Sequence, residues 1–459
     1  MLVRTVSVRI IVMMLVAIGL TVPLQTTTPA AEAAPNGSNF KPARGVTFNN
    51  PMGAAPTKRR IVNKLMKSIN KTPRGANIDI FSWNFLTAQG TRALLKAQRR
   101  GVRVRVLMDD ANLENIDNRP FKRLRNGLRA GNKKRAKARR SWAKVCVGTC
   151  RSKGGAAHSK YYLFSKVGKA RWVYIQGSAN FTNAAAHNQW NDIYTHRGNK
   201  KTYKWALRSF NQAAKDKPIR PPYQRKKFGK VELIMFPNTG RKAKDPVMGL
   251  LNRVACKGAT NTANRRTVIR VAPDVMRQAR GMRLGQKLRD LWQRGCDVKI
   301  GYTVMGIDVG RMLRQPGGRG PVPMKHLAID SDYDGQFDKY FHLKAMTIVG
   351  RVKGKRDNHV VLNGSANWSG LAKVSDENLG IYWQKRLTLR YQEHLDYWYD
   401  NFDMHAAAAR GVRAWGVKAR GADVQRDQRL VFGTGRNAVY EDGEPVSTDG
   451  TDPFALVEH

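Results

Sequence analysis

A stretch that occurs twice constrains this chain more than any other feature. The first copy is His158-Ser159-Lys160, then a short hydrophobic run, then Gly177-Ser178-Ala179-Asn180; the second is His342-Leu343-Lys344 followed by Gly364-Ser365-Ala366-Asn367. A lone His-x-Lys arises readily by chance, but two copies that each lead into Gly-Ser-Ala-Asn do not. Each copy supplies an imidazole, an ammonium group and an amide on segments that alternate with strand-like residues. The expectation is two related halves that share one site.

The residue types fit one kind of chemistry. A phosphodiester needs a nucleophile, an acid for the departing alkoxide, and donors for the phosphoryl oxygens. Imidazole is available in both protonation states near neutral pH, so His158 and His342 can fill the first two roles. Lys160 and Lys344 neutralise charge while Asn180 and Asn367 fix the oxygens, so neither a metal nor another cofactor is called for. Asp192 follows the first asparagine element and Glu377 the second, and each is a candidate to orient an imidazole. Ser178 and Ser365 are candidates for contact with a phosphoryl oxygen or the adjacent backbone, and Trp368 is a candidate interfacial aromatic on the substrate side.

In these residues the sequence resembles the phospholipase D superfamily, whose pattern is His-x-Lys, an Asp further on, then Gly-Ser-x-Asn, usually duplicated in one chain. The resemblance covers about Val46 to Phe402. It implies an α/β fold of two similar halves packed pseudo-symmetrically with the active site at their interface. It further implies that His158 is the nucleophile and forms a phosphohistidine. His342 would protonate the leaving alcohol and then activate water or a second alcohol, and the two lysines and two asparagines would hold the phosphate. Two departures stand out: the motif Asp is replaced by Ser165 in the first copy and Val349 in the second, and the gaps to Gly177 and Gly364 are longer than usual.

Hydrophobic periodicity sets the order of elements. Ile61, Leu65 and Ile69 recur at helical spacing, Ile78 to Trp83 alternates like a strand, Thr91 to Arg100 is helical, and Val102, Val104 and Val106 lead a strand toward Asp109. The second half repeats this with Thr267 to Val271, a helix from Met282 to Arg294, and a strand from Val298 to Tyr302. Strand, helix, strand at this spacing favours an α/β layer architecture. The expected divisions are a signal peptide at 1–34, a first half at 35–215, a proline-interrupted linker at 216–229, a second half at 230–410, and an extension with an acidic tail at 411–459. The basic run from Asn112 to Arg140 reads as a mobile loop containing a helix, and glycine-rich Gly301 to Pro323 as a flexible lid or surface loop. The aromatics of a closing helix from Leu387 to Phe402 read as core.

Charge and export narrow the partners. The 83 Lys plus Arg against 33 Asp plus Glu give a formal net charge of +50, which attracts nucleic acid, anionic lipid surfaces and other polyanions. Arg4 and Arg9, an apolar run from Ile10 to about Leu24, and Ala30-Ala31-Glu32-Ala33-Ala34 make a secretory signal pattern, so the expectation is a secreted, extracellular monomer. Cys146, Cys150, Cys256 and Cys296 fit an oxidising compartment; proximity favours Cys146 with Cys150 and Cys256 with Cys296, one of the three pairings that four cysteines permit. Their spacing suits neither a zinc knuckle nor a thioredoxin-like redox pair. No Gly-x-Ser-x-Gly elbow and no Gly-x-x-x-x-Gly-Lys-Ser/Thr loop is present, which disfavours a serine lipase and a nucleotide hydrolase. The expected activity is hydrolysis on the headgroup side of glycerophospholipids, with transfer to a second alcohol as a further outcome. A non-specific secreted nuclease and a catalytically weak polyanion-binding protein are the alternatives.

Overall fold

The computed structural model describes residues 38–240, 243–329, 337–409, 431–432 and 439–440. The expected signal peptide and most of the 411–459 extension, with its acidic tail, lie outside the described residues.

Two mixed sheets form the body. In space the first runs Gly45–Phe48, Asp192–Arg197, Ala170–Gly177, Lys160–Val167, Asn77–Ser82, Arg103–Asp109, Trp142–Cys146. Its first four pairings are antiparallel and its last two parallel. The second sheet begins with the hairpin of Gln224–Phe228 and Val231–Met235. It continues through Asn378–Tyr382, Lys355–Gly364, Ala345–Val352, Val268–Met276, Asp297–Met305 and Met324–His326. From Val231–Met235 onward it repeats the same run of four antiparallel and two parallel pairings.

The parallel neighbours are joined through helices, as parallel strands require. Ala88–Arg99 follows Asn77–Ser82, and Gln278–Gln293 follows Val268–Met276. The first of these helices starts where the Thr87 side chain accepts from Gly90 N at 3.2 Å and stops before Gly101, whose φ of 92° suits glycine.

Strand residues alternate between two cores because side-chain direction has period two. Ile78, Ile80, Tyr162 and Phe164 join Ile61, Leu65 and Ile69 on one face. Phe81, Tyr161 and Leu163 join Tyr174 and Phe210 on the other, together with Leu233 and Met235 of the second sheet. A further core mixes Phe48 and Trp190 with Phe341, Tyr391, Trp398 and Phe402, so the long Lys385–Ala409 helix packs across both parts of the chain through the aromatics expected to be core.

One loop expectation is refined and two are corrected. Much of the basic run after Asn112 is an amphipathic helix, Arg119–Ala130: it buries Phe121, Leu124 and Leu128, exposes Lys122, Arg123 and Arg125, and is capped by Asn118 Oδ1 accepting from Phe121 N at 3.0 Å. The glycine-rich stretch is not a lid, because the Asp297–Met305 strand runs into it and the Ile307–Arg314 helix buries Val309 and Leu313. Gln224–Phe228, inside the expected linker, is an edge strand. Among the described residues no helix is long and apolar enough to cross a membrane.

The cysteines pair Cys146 with Cys150 and Cys256 with Cys296. The second bridge spans 40 residues and joins the Val254–Ala255 strand end to the start of Asp297–Met305. Replacing both of its cysteines with serine is expected to lower unfolding free energy by about 2–4 kcal/mol, because the unfolded chain regains the entropy of an open loop; denaturant titration of the variant against the parent checks this.

Candidate functional site

His158 sits immediately before the Lys160–Val167 strand and His342 shortly before Ala345–Val352, at matching places in the two sheets. The Gly-Ser-Ala-Asn elements follow the strands paired to these, Ala170–Gly177 and Lys355–Gly364. Glycine is needed at both ends: a Cβ on Gly177 would lie 2.2 Å from Asp192 O, and one on Gly364 2.0 Å from Asn378 O. All six His, Lys and Asn side chains are buried.

The imidazoles are oriented crosswise. His158 Nδ1 is 2.7 Å from Glu377 Oε1, a residue that follows the second motif. His342 Nδ1 is 2.8 Å from Asn191 Oδ1, which follows the first. Each partner is braced by its own motif serine: Ser365 Oγ donates to Glu377 Oε2, and Ser178 Oγ donates to Asn191 Oδ1 at 2.8 Å. The same hydroxyls accept from Asn378 N and Asp192 N at 2.9 and 3.0 Å. Of the two contacts expected of Ser178 and Ser365, the one to the adjacent backbone is formed, and the same hydroxyls hold the imidazole partners.

The expectation for Asp192 is corrected. Its carboxylate meets the Asn363 amide and the Tyr391 hydroxyl, one layer behind the imidazoles, and the neutral Asn191 stands where a carboxylate was expected. The serine-to-partner spacing explains the miss, being 13 residues in the first half and 12 in the second. The expectation for Trp368 is corrected as well. The residue is 1% exposed and belongs to the second sheet's apolar core, where its backbone N–H bonds Val275 O at 2.9 Å; an indole packed there has no face for a lipid surface.

The two lysines differ. Lys344 Nζ lies 2.6 Å from Asp274 Oδ2 and 3.0 Å from His342 O. Asp274 reaches it from a β-bulge in Val268–Met276, with φ at 52°, and its Oδ2 is also 3.9 Å from His342 Nε2. Such bulges re-aim side chains beside functional sites. Lys160 Nζ donates to His158 O at 2.7 Å and lies 5.5 Å from the ring centre of Trp83, which also packs edge-on to His158 at 5.5 Å. Asp274, Asn191 and Trp83 were not identified from sequence: none sits inside a repeated motif.

Asn180 Oδ1 accepts from Asn84 N at 3.3 Å, and the backbone oxygen of Asn367 accepts from Arg280, which is itself paired to Asp245 at 2.5 Å. The motif-Asp positions lie elsewhere: Ser165 Oγ accepts from Asn77 N at 2.9 Å near the far end of its strand, and Val349 is a buried strand residue paired to Val268.

Burial dominates the electrostatics. It pushes Lys160 well below the usual lysine range, with Glu377 opposing. Burial, then the charges of Lys344 and Lys160, hold His342 well below its ordinary value. Asp274 is pushed up and Lys344 down by the same cause, each restrained by the other's charge. Glu377 is raised to about 8 by burial, against the pull of Lys160. Asp109, whose carboxylate accepts from Ala157 N at 2.7 Å just before His158, is raised to about 6 by burial. Away from these groups, Cys146, Cys150 and Asp216 bring three donor atoms within 4.8 Å, but both sulfurs are spent in a disulfide and offer no thiolate.

Residues 65–213 match a family model described as cardiolipin synthase, PLD-like domain. No curated protein matches the chain. Among solved structures, polyphosphate kinase from Porphyromonas gingivalis is 12% identical with a TM-score of 0.50 over 77% of this chain and 50% of its own, so the chain spans half the length of that relative. Phosphatidylserine synthase from Haemophilus influenzae is 13% identical with a TM-score of 0.47, covering 81% of this chain and 88% of its own. Nuc from Salmonella typhimurium, a phospholipase D family member, is 17% identical with a TM-score of 0.28, covering 38% and 96%.

Replacing Glu377 with Gln tests the orienting carboxylate. Turnover is expected to fall by about 10²–10⁴-fold, the range of a lost acid–base contribution. The folded value of about 8 lies above the ordinary 4.5, so the stability this carboxyl contributes is complete below the ordinary value and is lost as pH rises through about 8. Denaturant midpoints of the parent should therefore decline over that window, and those of Glu377→Gln should decline less.

Proposed function

We propose that this chain, whose residues 65–213 match a PLD-like domain, is an exported phosphodiesterase that cleaves the headgroup side of glycerophospholipids through a phosphohistidine. In this reading the halves at 35–215 and 230–410 are pseudo-symmetric and share one active site. What supports it most is the crossed bonding, Glu377 to His158 and Asn191 to His342, which makes each half supply the partner for the other's imidazole. The description of the matched family model, a cardiolipin synthase, supports a lipid diester as substrate class.

The difference between the two partners divides the roles. In the form in which Glu377 has lost its proton, its carboxylate accepts from His158 Nδ1, so His158 attacks phosphorus through Nε2, and the positive charge that develops on the ring is stabilised by Glu377. The P–O bond to the leaving alcohol breaks, and its electron pair takes the proton from Nε2 of His342. An imidazolium beside the neutral Asn191 gives up its proton more readily than one beside a carboxylate. Burial and the neighbouring lysines favour the neutral form of His342; the arriving phosphodiester anion supplies charge that favours its protonation, and Asp274 Oδ2 stands 3.9 Å from its Nε2. His342, now neutral, then takes a proton from water as water attacks the phosphohistidine, which releases the phosphomonoester and restores both rings. Lys160, Lys344, Asn180 and Asn367 carry the phosphoryl oxygens, so no step needs a metal.

Nucleic acid is the second reading, favoured by the charge of +50 and by the burial of Trp368, which removes a feature that pointed to a lipid surface. Headgroup release from phospholipid vesicles and cleavage of single- and double-stranded DNA, assayed side by side with EDTA present, separate the two. Headgroup release is the expected result; DNA cleavage alone would overturn the first reading. Either activity should fall by at least about 10³-fold in both His158→Ala and His342→Ala. With a p-nitrophenyl leaving group, which needs little protonation, His342→Ala should recover its first step while His158→Ala should not. Equal recovery in both would contradict the assigned roles.

A further inference from the structure

A cleft of about 700 Å³ opens at the edge of the second sheet, away from both motifs. It lies where the hairpin of Gln224–Phe228 and Val231–Met235 meets the turn between Ala345–Val352 and Lys355–Gly364. Arg225, Lys227, Lys230, Arg253, Lys353 and Lys355 line it and are all exposed. Glu232, the one carboxylate in the lining, is held by Arg225 at 3.0 Å. Trp383 completes the wall; its backbone N–H bonds Lys230 O at 2.9 Å, and Lys353 Nζ lies 4.3 Å from its ring centre. The cations crowd one another: burial and then Arg253 hold Lys353 below the usual lysine range.

Like charges gathered in a concavity lower the cost of binding an anion and raise its local concentration. We propose that this cleft binds a single strand of nucleic acid, with backbone phosphates on the cations and one base against Trp383. Cationic grooves that carry an aromatic side chain suit single strands, because every base offers a π-face to stack. A duplex keeps its bases stacked out of reach. A flat anionic lipid surface is a poorer fit, since Ile116, Val147, Leu389, Tyr397 and Met404, the large hydrophobics exposed among the described residues, lie outside the lining. Phosphate arriving near Lys353 relieves the crowding and draws the ammonium off the indole, which frees that face for a base. The site goes beyond the reaction proposed above, and strand binding there is read without turnover.

Fluorescence anisotropy of a labelled oligothymidylate tests this, using the full chain carrying His158→Ala so that the probe stays intact. Adding Trp383→Ala should weaken oligothymidylate binding by roughly 5- to 100-fold and leave the affinity for inorganic polyphosphate, which has no bases, unchanged. Lys227→Gln with Lys355→Gln should weaken both ligands and reduce the salt slope for the strand by about 1.4, at roughly 0.7 per phosphate contact. Lys133→Gln with Lys134→Gln, exposed lysines far along the chain, should change neither. A loss from this control pair as large as that from the cleft pair would mean diffuse charge and overturn the site. So would a Trp383→Ala protein that binds the strand as the parent does. The cleft variants on the parent background should hydrolyse bis(p-nitrophenyl) phosphate normally, so failure of strand binding and failure of the phosphodiesterase reading are seen separately.

Discussion

The hydrogen bond between His158 and Glu377 is the constraint on which the rest of the molecule depends. Both groups are buried, and they come from different sheets. A carboxyl buried in this way is costly unless its oxygens are bonded, and here one oxygen meets the imidazole and the other Ser365. The surrounding contacts hold that register: Lys160 N bonds Asn378 Oδ1 at 2.7 Å, Gln176 Nε2 bonds Asn363 Oδ1 at 2.7 Å, and Arg151 meets Asp376 at 3.0 Å. Each bond links a residue of one sheet or its loops to the other. A polar seam of this kind fixes the relative placement of two apolar cores more narrowly than packing alone, because a slipped register would leave buried polar groups unpaired.

The same seam sets the electrostatics. Lys160, Lys344, His342, Glu377, Asp274 and Asp109 are buried within range of one another. Their desolvation disfavours charge, so the resting site carries less charge than its residues suggest, and an anionic phosphodiester restores partners to the cations. The halves are unequal: Lys344 has a carboxylate at 2.6 Å, whereas Lys160 has a backbone oxygen and the face of Trp83. His158 likewise has a carboxylate and His342 an amide. The inequalities run in opposite senses in the two halves, which gives two copies of one motif two different electrostatic environments.

The repeated motif made the six central His, Lys and Asn residues and the α/β layers legible in the sequence, since strand and helix periodicities there are strong. Glu377 was legible by its place after Asn367. Asn191 was not, because a one-residue difference in spacing put the acidic Asp192 at the eye-catching position and the amide beside it. Asp274 was hidden by a bulge, which periodicity does not reveal. Trp368 misled for a related reason: an aromatic next to a motif residue reads as a surface contact, but the strand-to-helix turn directs it into the core. A helix within the basic run was legible but its anchoring was not, because the charge of Arg119–Ala130 outweighs the three apolar residues it buries.

The division of labour between the two histidines is tested most directly by trapping the covalent intermediate. His342→Ala, which lacks the group that activates water, is mixed with a p-nitrophenyl phosphodiester, quenched, and digested for mass spectrometry under conditions that preserve phosphohistidine. The account predicts one phosphoryl adduct, on His158, formed in a burst of about one p-nitrophenol per chain. A burst with the adduct on another residue, or turnover with no adduct at all, would contradict it.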